Sequence, residues 1–105
     1  MKWCKACRLT ELPTGHTRPV ELADEFILLC RVSDAEIYAI ENVCSHDDGP
    51  LGEGSLTGKV VECPRHGARF DVTNGTVLRL PAATPLDTFP IRISDGWIEV
   101  ALEDV

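Results

Sequence analysis

The sequence predicts an all-β protein of one domain, and three observations support this prediction. Its 105 residues suffice for one domain with a modest core. Short alternating or β-branched runs are separated by turn residues along the whole length. Helical periodicity does not persist over ten residues anywhere in the chain, so we expect little helix.

Each predicted strand is bounded by turn residues. The hairpin dipeptides Asn74-Gly75 and Asp95-Gly96 separate neighbouring strands, and Ser33-Asp34-Ala35 forms another turn. The predicted strands are residues 2–7, 20–22, 25–33, 37–41, 59–62, 68–71, 76–80, 88–94 and 97–102.

Residues 80–90 contain three prolines, Pro81, Pro85 and Pro90. Proline fixes φ and has no N–H group, so we expect this segment to be stiff and unable to pair as a central strand. It is suited to lie as a rigid cover over a neighbouring part of the molecule.

The charge and the apolar content limit the partners of the chain. The formal net charge is −7, from 17 acidic and 10 basic residues. Because nucleic acid and anionic membranes are also negatively charged, we expect neither of them as a partner. The longest apolar run, FILLC, is far too short to span a membrane.

The N-terminal residues do not resemble a signal peptide, and the cysteines number five, an odd count. We therefore expect a soluble cytoplasmic protein with reduced thiols.

Two short segments carry the candidate site, because each contains a cysteine and a histidine. Cys44 and His46 lie in VCSHDDG, and Cys63 and His66 lie in ECPRHGARFD, with sixteen residues between the two pairs. Both segments follow a predicted strand directly and are rich in turn residues, so each is predicted to be a loop at a strand end.

Two thiolates and two imidazoles suit either zinc or an iron–sulfur cluster. A Cys₂His₂ zinc finger pairs like ligands locally, whereas each loop here contributes one ligand of each kind. A [2Fe–2S] cluster with both thiolates on one iron and both imidazoles on the other, a Rieske centre, needs that arrangement. The spacing favours one [2Fe–2S] cluster, and zinc at the same four ligands stays the alternative.

The motif resembles that of Rieske ferredoxins, in which fifteen to seventeen residues separate C-x-H from C-x-x-H. Here Cys44-x-His46 and Cys63-x-x-His66 are sixteen residues apart. The segments ELPTG, DGPLGEGSLTGKVVECPRHGARFD and FPIRISDGWIEV also resemble the small ferredoxins that serve bacterial ring-hydroxylating dioxygenases. The resemblance covers nearly the whole chain.

This resemblance implies a Rieske-like antiparallel β-sandwich base within one domain of residues 1–105, with a cluster-binding subdomain of two loops at about residues 43–82. It implies that Cys44 and Cys63 bind the inner iron and that His46 and His66 bind the outer iron near solvent. The residues expected to surround the cluster are Gly49, Pro64, Gly67 and Pro81.

The function implied is that of a low-potential one-electron carrier without a catalytic site. Its expected partners are a flavin-dependent ferredoxin reductase and a terminal ring-hydroxylating oxygenase, and we expect a monomer. An oxygenase would also need an iron held by two histidines and a carboxylate, but only His16 remains after cluster ligation. An accessory ferredoxin of another redox or iron–sulfur assembly pathway stays open, and a zinc-binding structural subunit is the less favoured alternative.

The other three cysteines are interpreted as structural. Cys4 and Cys7 lie in the first strand, where x-x spacing is expected to point their side chains to opposite faces. Cys30 ends the apolar run and is predicted to be a core residue.

The chain departs from the respiratory members of the resembled family in both loops. Those proteins have one extra cysteine in each loop, and the two form a disulfide. Here the corresponding residues are Gly49 and Arg65, so that disulfide cannot form. The serine and tyrosine whose hydroxyls donate to the respiratory cluster are replaced by Ala68 and Phe70.

The missing hydroxyl donors predict a reduction potential near the low end of the Rieske range, about −150 mV. Such donors stabilise the more negative, reduced cluster, so their loss lowers the potential. Asp47 and Asp48 act in the same direction, and Arg65 and Arg69 oppose them; solvent screening makes these charge effects the smaller ones. A one-electron titration measures the potential, and a midpoint above zero would contradict the prediction.

Overall fold

The computed structural model describes residues 1–45, 49–52, 54–65, 67–80 and 84–103. Within these residues the regular structure is β-strand apart from one 3₁₀ turn, Leu9–Glu11, so the predicted all-β class is confirmed. No helix in this part of the chain is long and apolar enough to cross a membrane. The strands are β1 (Lys2–Arg8), β2 (Thr17–Leu22), β3 (Glu25–Arg31), β4 (Ile37–Glu41), β5 (Leu56–Thr57), β6 (Val60–Glu62), β7 (Arg69–Asp71), β8 (Val77–Arg79), β9 (Thr88–Phe89), β10 (Ile91–Ser94) and β11 (Trp97–Leu102).

These described strands form three antiparallel sheets. The terminal sheet has the order β1-β11-β10, the central sheet β2-β3-β4-β9, and the loop sheet β5-β6-β7-β8. The terminal sheet joins the two ends of the chain, because Lys2 pairs with Leu102 and Arg8 with Trp97. The loop sheet contains the strands on either side of Cys63, so it positions one of the two candidate loops.

Strand β3 is buried on both faces, as its apolar run requires. Ile27 and Leu29 point into a lower core against the terminal sheet, and Leu28 and Cys30 point into an upper core against the loop sheet. The buried residues of the lower core are Cys7, Leu12, Ile27, Leu29, Ile37, Ala39, Ile98, Val100 and Leu102. Those of the upper core are Leu28, Cys30, Ile40, Cys44, Leu51, Val61, Cys63, Ala68, Phe70, Val72 and Leu86.

Three of the differences between the observed and the predicted strands have identifiable reasons. The predicted strand 88–94 is divided into β9 and β10 at Pro90, which belongs to neither strand and has no N–H to continue a ladder. Strand β2 begins at Thr17, before Pro19, because an edge strand tolerates a proline. The short strand β5 was not predicted, since two residues carry no readable alternation.

The expectation that Cys4 and Cys7 face opposite sides of their strand is wrong. A register shift between Lys5 and Cys7 inserts an extra residue into β1, and such a bulge resets the alternation of side chains. Cys4 and Cys7 therefore both pack against the lower core. On the other face, Lys5 and Arg8 lie over the Trp97 ring, at 5.0 and 4.6 Å from its centroid.

Both predicted hairpin dipeptides lie in turns, but the two turns differ. Asp95 and Gly96 both have positive φ, 52° and 79°, as a tight two-residue turn between β10 and β11 requires. The turn between β7 and β8 is longer, and the Gly75 N–H donates to the Asp71 carbonyl at 2.7 Å. The Gly75 carbonyl accepts from the Leu86 N–H at 2.9 Å, so this turn is joined to the proline-containing segment.

Gly75→Ala should destabilise the fold far more than Gly58→Ala. Both glycines have positive φ, 77° and 58°, so each alanine incurs backbone strain of about 1 kcal/mol. A Cβ at Gly75 would also collide with the Leu86 carbonyl, whereas one at Gly58 would meet nothing within 4 Å. We expect a loss of about 1 kcal/mol for Gly58→Ala and about 2 kcal/mol more for Gly75→Ala, measured by urea unfolding. Equal losses would show that Leu86 does not approach Gly75 this closely.

Candidate metal centre

The first candidate loop is closed by backbone hydrogen bonds soon after β4 ends. The Cys44 N–H donates to the Gly49 carbonyl at 2.7 Å, which ties Cys44 to Gly49. The Asn42 side chain accepts from the Leu51 N–H at 2.8 Å, and the Asn42 N–H donates to the Phe26 carbonyl at 2.9 Å. The loop that carries Cys44 is thus tied at both ends, and the Cys44 side chain is fully buried.

The second candidate loop is the tip of the hairpin formed by β6 and β7. The Cys63 N–H donates to the Ala68 carbonyl at 2.7 Å, and the Gly67 N–H donates to the Cys63 carbonyl at 3.2 Å. Gly67 has a φ of +75°, a left-handed conformation that glycine adopts without strain. This tight turn keeps Cys63 on the inner side of the hairpin, with 1% of its surface exposed.

The proline-containing segment contacts the first loop, as a cover over the site should. The Ser45 hydroxyl donates to the Thr84 carbonyl at 2.7 Å. Further along, Leu86 is buried in the upper core, and the Asp87 N–H donates to the Glu41 carboxylate at 2.6 Å. The segment from residue 84 to 87 is therefore fastened beside the loop that carries Cys44. Pro81 lies outside the described residues.

Cys44 and Cys63 are brought together in one core, although they come from different loops. Both thiols are buried in the upper core with Leu51 and Phe70, and neither forms a disulfide. Two buried sulfur donors on two separate, tightly closed turns fit the thiolate half of an iron–sulfur or zinc centre. Within the described residues no three His, Cys, Asp or Glu side chains form a metal site by themselves. The predicted histidine ligands, His46 and His66, lie outside the described residues.

The environment of the two cysteines is apolar. Ala68 and Phe70 are fully buried in the same core as the thiols, so these two positions contribute packing and no hydroxyl donor. Arg69 projects outward and its guanidinium lies 2.7 Å from the Glu62 carboxylate. Because this ion pair offsets the charge of Arg69, its influence on a nearby redox centre is smaller than the sequence suggests.

The residues predicted to surround the centre have different local roles. Gly67 permits the tight turn described above, and Pro64 is exposed in the same turn. The Gly49 carbonyl accepts a hydrogen bond from the Cys44 N–H. The Arg65 guanidinium lies directly against Gly49. No signal in the sequence shows this last contact, because Gly49 and Arg65 are sixteen positions apart in the chain.

Gly54 is required by packing between the two loops. A Cβ at Gly54 would collide with the backbone carbonyl of Glu62, the residue before Cys63. The Glu62 N–H donates to the Ser55 carbonyl at 3.0 Å in the same region. The chain that leaves the first loop therefore lies directly against the strand that enters the second one.

Two of the other three cysteines, Cys7 and Cys30, are buried as neutral thiols. Burial raises the pKa of Cys30 to about 12, and the predicted core position of this residue is confirmed. Burial likewise raises the pKa of Cys7, while nearby Arg18 lowers it to a lesser extent. Both groups stay neutral thiols that pack as small apolar side chains.

Known proteins resemble this chain over nearly its whole length. Residues 2–90 match the Rieske [2Fe–2S] domain. The chain is 37% identical over 101 residues to the ferredoxin component of the naphthalene 1,2-dioxygenase system of Pseudomonas aeruginosa, covering 96% of each chain. It is 39% identical over 103 residues to the ferredoxin component of biphenyl 2,3-dioxygenase of Rhodococcus jostii strain RHA1, covering 98% of this chain and 95% of the relative.

A solved structure shows the same fold in a functional assembly. It is described as the complex of reduced oxygenase and oxidized ferredoxin in carbazole 1,9a-dioxygenase. A chain of that complex superposes with a TM-score of 0.88 at 35% identity, covering 94% of this chain and 92% of its own length. The similarity therefore extends over most of the chain.

Native-state alkylation should separate the buried structural thiols from the accessible one. With its pKa at about 12, only about one Cys30 in ten thousand is a thiolate at pH 8, and the group is also fully buried. Cys4 is partly exposed. We expect iodoacetamide to modify Cys4 in the folded protein and Cys30 only after unfolding in guanidinium, as measured by peptide mass spectrometry. Comparable labelling of both in the folded state would contradict the burial of Cys30.

Proposed function

Since the chain belongs to the Rieske [2Fe–2S] domain family, we propose that it is the ferredoxin component of a ring-hydroxylating dioxygenase system. In this role it accepts single electrons from a flavin-dependent ferredoxin reductase and passes them to the terminal oxygenase. One observation carries the proposal: similarity to dioxygenase ferredoxin components extends over 96% of the chain. The two buried thiols that share the upper core agree with it.

The residues proposed to hold one [2Fe–2S] cluster are Cys44, Cys63, His46 and His66. When bound, the cluster supplies reversible one-electron oxidation and reduction. The buried thiols of Cys44 and Cys63 suit the inner iron, because the surrounding apolar side chains exclude water from the sulfur atoms. Gly49, Pro64, Gly67 and Pro81 are proposed to shape the surround, and residues 43–82 are proposed as the cluster-binding part of a single domain 1–105.

The chain's own residues keep the geometry of the site constant. Backbone hydrogen bonds from Cys44 to Gly49 and from Cys63 to Ala68 fix the two cysteine backbones, and the packed upper core holds both thiols in place. A site that changes little between redox states needs little reorganisation when an electron arrives. The absence of hydroxyls at Ala68 and Phe70 supports a potential at the low end of the Rieske range.

The chain is an electron carrier and not the oxygenase. Its relatives are named ferredoxin components of dioxygenase systems, and the solved complex contains a separate oxygenase. Only His16 would remain as a histidine after cluster ligation, too few for a mononuclear iron site of two histidines and a carboxylate. We propose that the protein acts in the cytoplasm as a monomer, so that both partners reach the same end of the molecule.

Reduction with dithionite should produce a rhombic low-temperature EPR signal. Its average g should lie clearly below that of all-cysteine [2Fe–2S] ferredoxins, because two imidazoles ligate one iron. We expect iron and sulfide at two atoms each per chain. Cys44→Ala, Cys63→Ala, His46→Ala and His66→Ala should each abolish the signal.

Matched controls make this test specific to the four ligands. Cys30→Ala and His16→Ala remove the same residue types from the core and from a surface turn, and both should keep the full signal. A colourless protein with one zinc per chain would contradict electron transfer and favour a structural subunit. A normal signal without electron transfer in a reconstituted reductase–oxygenase assay would favour an accessory ferredoxin of another pathway.

A further inference from the structure

Arg65 of the second loop reaches across to the first loop. Its Nη1 atom donates to the Pro50 carbonyl at 2.9 Å. Its guanidinium also lies against Gly49: a Cβ at that position would be 2.7 Å from Nη2, 2.8 Å from Cζ and 3.1 Å from Nε. All three atoms belong to one planar group, so the guanidinium covers the Gly49 backbone.

Gly49 is needed for this contact and not for its own backbone conformation. Its φ lies outside the left-handed region, unlike that of Gly67 or Gly75, so an alanine could adopt the same backbone. The space that a Cβ would occupy is filled by the end of the Arg65 side chain. The small residue in one loop and the long residue in the other are therefore complementary in shape.

The contact links the two backbones that carry the proposed cluster ligands. The Gly49 carbonyl accepts from the Cys44 N–H at 2.7 Å, so Gly49 is part of the turn that holds Cys44. Arg65 directly precedes His66 and follows Cys63 by two residues. Separation of Arg65 from Gly49 and Pro50 would free the two turns to move apart.

We propose that Arg65, Gly49 and Pro50 form a clasp, a non-covalent crosslink between the two loops that limits release of the cluster. Arg65 is a positioning residue in this proposal, because it acts through its contacts with the backbone of the other loop. The inference rests on the proposed function only in assuming that the loops hold a cluster.

The test is a double-mutant cycle on the holoprotein. Arg65→Gln removes the guanidinium, and Gly49→Ala displaces it while leaving Arg65 in the sequence. Each single variant should release its cluster to a chelator about fivefold faster than the wild type, as expected when an exposed charge-assisted hydrogen bond is lost. The double variant should be no faster than either single one, because both changes break the same contact. Loss of visible absorbance measures the rate.

Arg79→Gln is the matched control for charge. Arg79 is exposed on the loop sheet, opposite Arg69, and its removal changes the net charge equally without touching the clasp. This variant should release the cluster at the wild-type rate. Equal acceleration in Arg65→Gln and Arg79→Gln would overturn the clasp, because charge alone would then account for the effect.

Two further readouts separate positioning from general stability. In Arg65→Gln and Gly49→Ala, the EPR lines should broaden, and hydrogen exchange should accelerate in the peptide around Cys44. The urea midpoint should change little. A lowered urea midpoint with unchanged line widths would overturn the positioning role, and so would single-variant effects that multiply in the double variant.

Failure of the clasp and failure of the proposed function give different results. If the wild type binds no iron, the proposed function is wrong and the clasp falls with it. If the wild type and all variants load two iron atoms per chain and release them at the same rate, the cluster assignment stands and the clasp alone is overturned.

Discussion

Burial of strand β3 on both faces is the constraint on which the rest of the structure depends. Ile27 and Leu29 need apolar partners on one side, and Leu28 and Cys30 need them on the other. Burying each of the three aliphatic residues contributes about 1.5–3 kcal/mol, so neither face can be left to solvent. The terminal sheet covers one face, and the loop sheet with the two loops covers the other.

The candidate centre is therefore part of the core and not an addition to its surface. Cys44 and Cys63 lie among the side chains that cover Leu28 and Ile40. The closed turns that position these cysteines are held by backbone hydrogen bonds, and the close approach of Gly54 to Glu62 brings their flanking segments together. Loop geometry and fold stability consequently depend on the same contacts.

The predicted reduction potential depends on which side chains pack in the same core as the two cysteines. Ala68 and Phe70 occupy positions where hydroxyl groups would raise the potential, yet here both side chains fill the upper core. The predicted low potential therefore depends on apolar packing at these two positions. The loops lack a covalent link, since none of the five cysteines, all of them in the described residues, forms a disulfide; contacts such as that of Arg65 with Pro50 then connect them.

The sequence by itself determined the all-β class and the core position of Cys30, because alternation and turn dipeptides are local patterns. The assignment of Cys44, His46, Cys63 and His66 as ligands stays a prediction from their spacing. Tertiary structure alone decided that β1 carries a bulge, that Pro90 separates two strands, and that Arg65 lies on Gly49. The physical reason is that these features depend on register and on contacts between residues far apart in the chain. Strand register and such distant contacts do not change the local periodicity of a sequence. They could therefore be read only from the packed sheets.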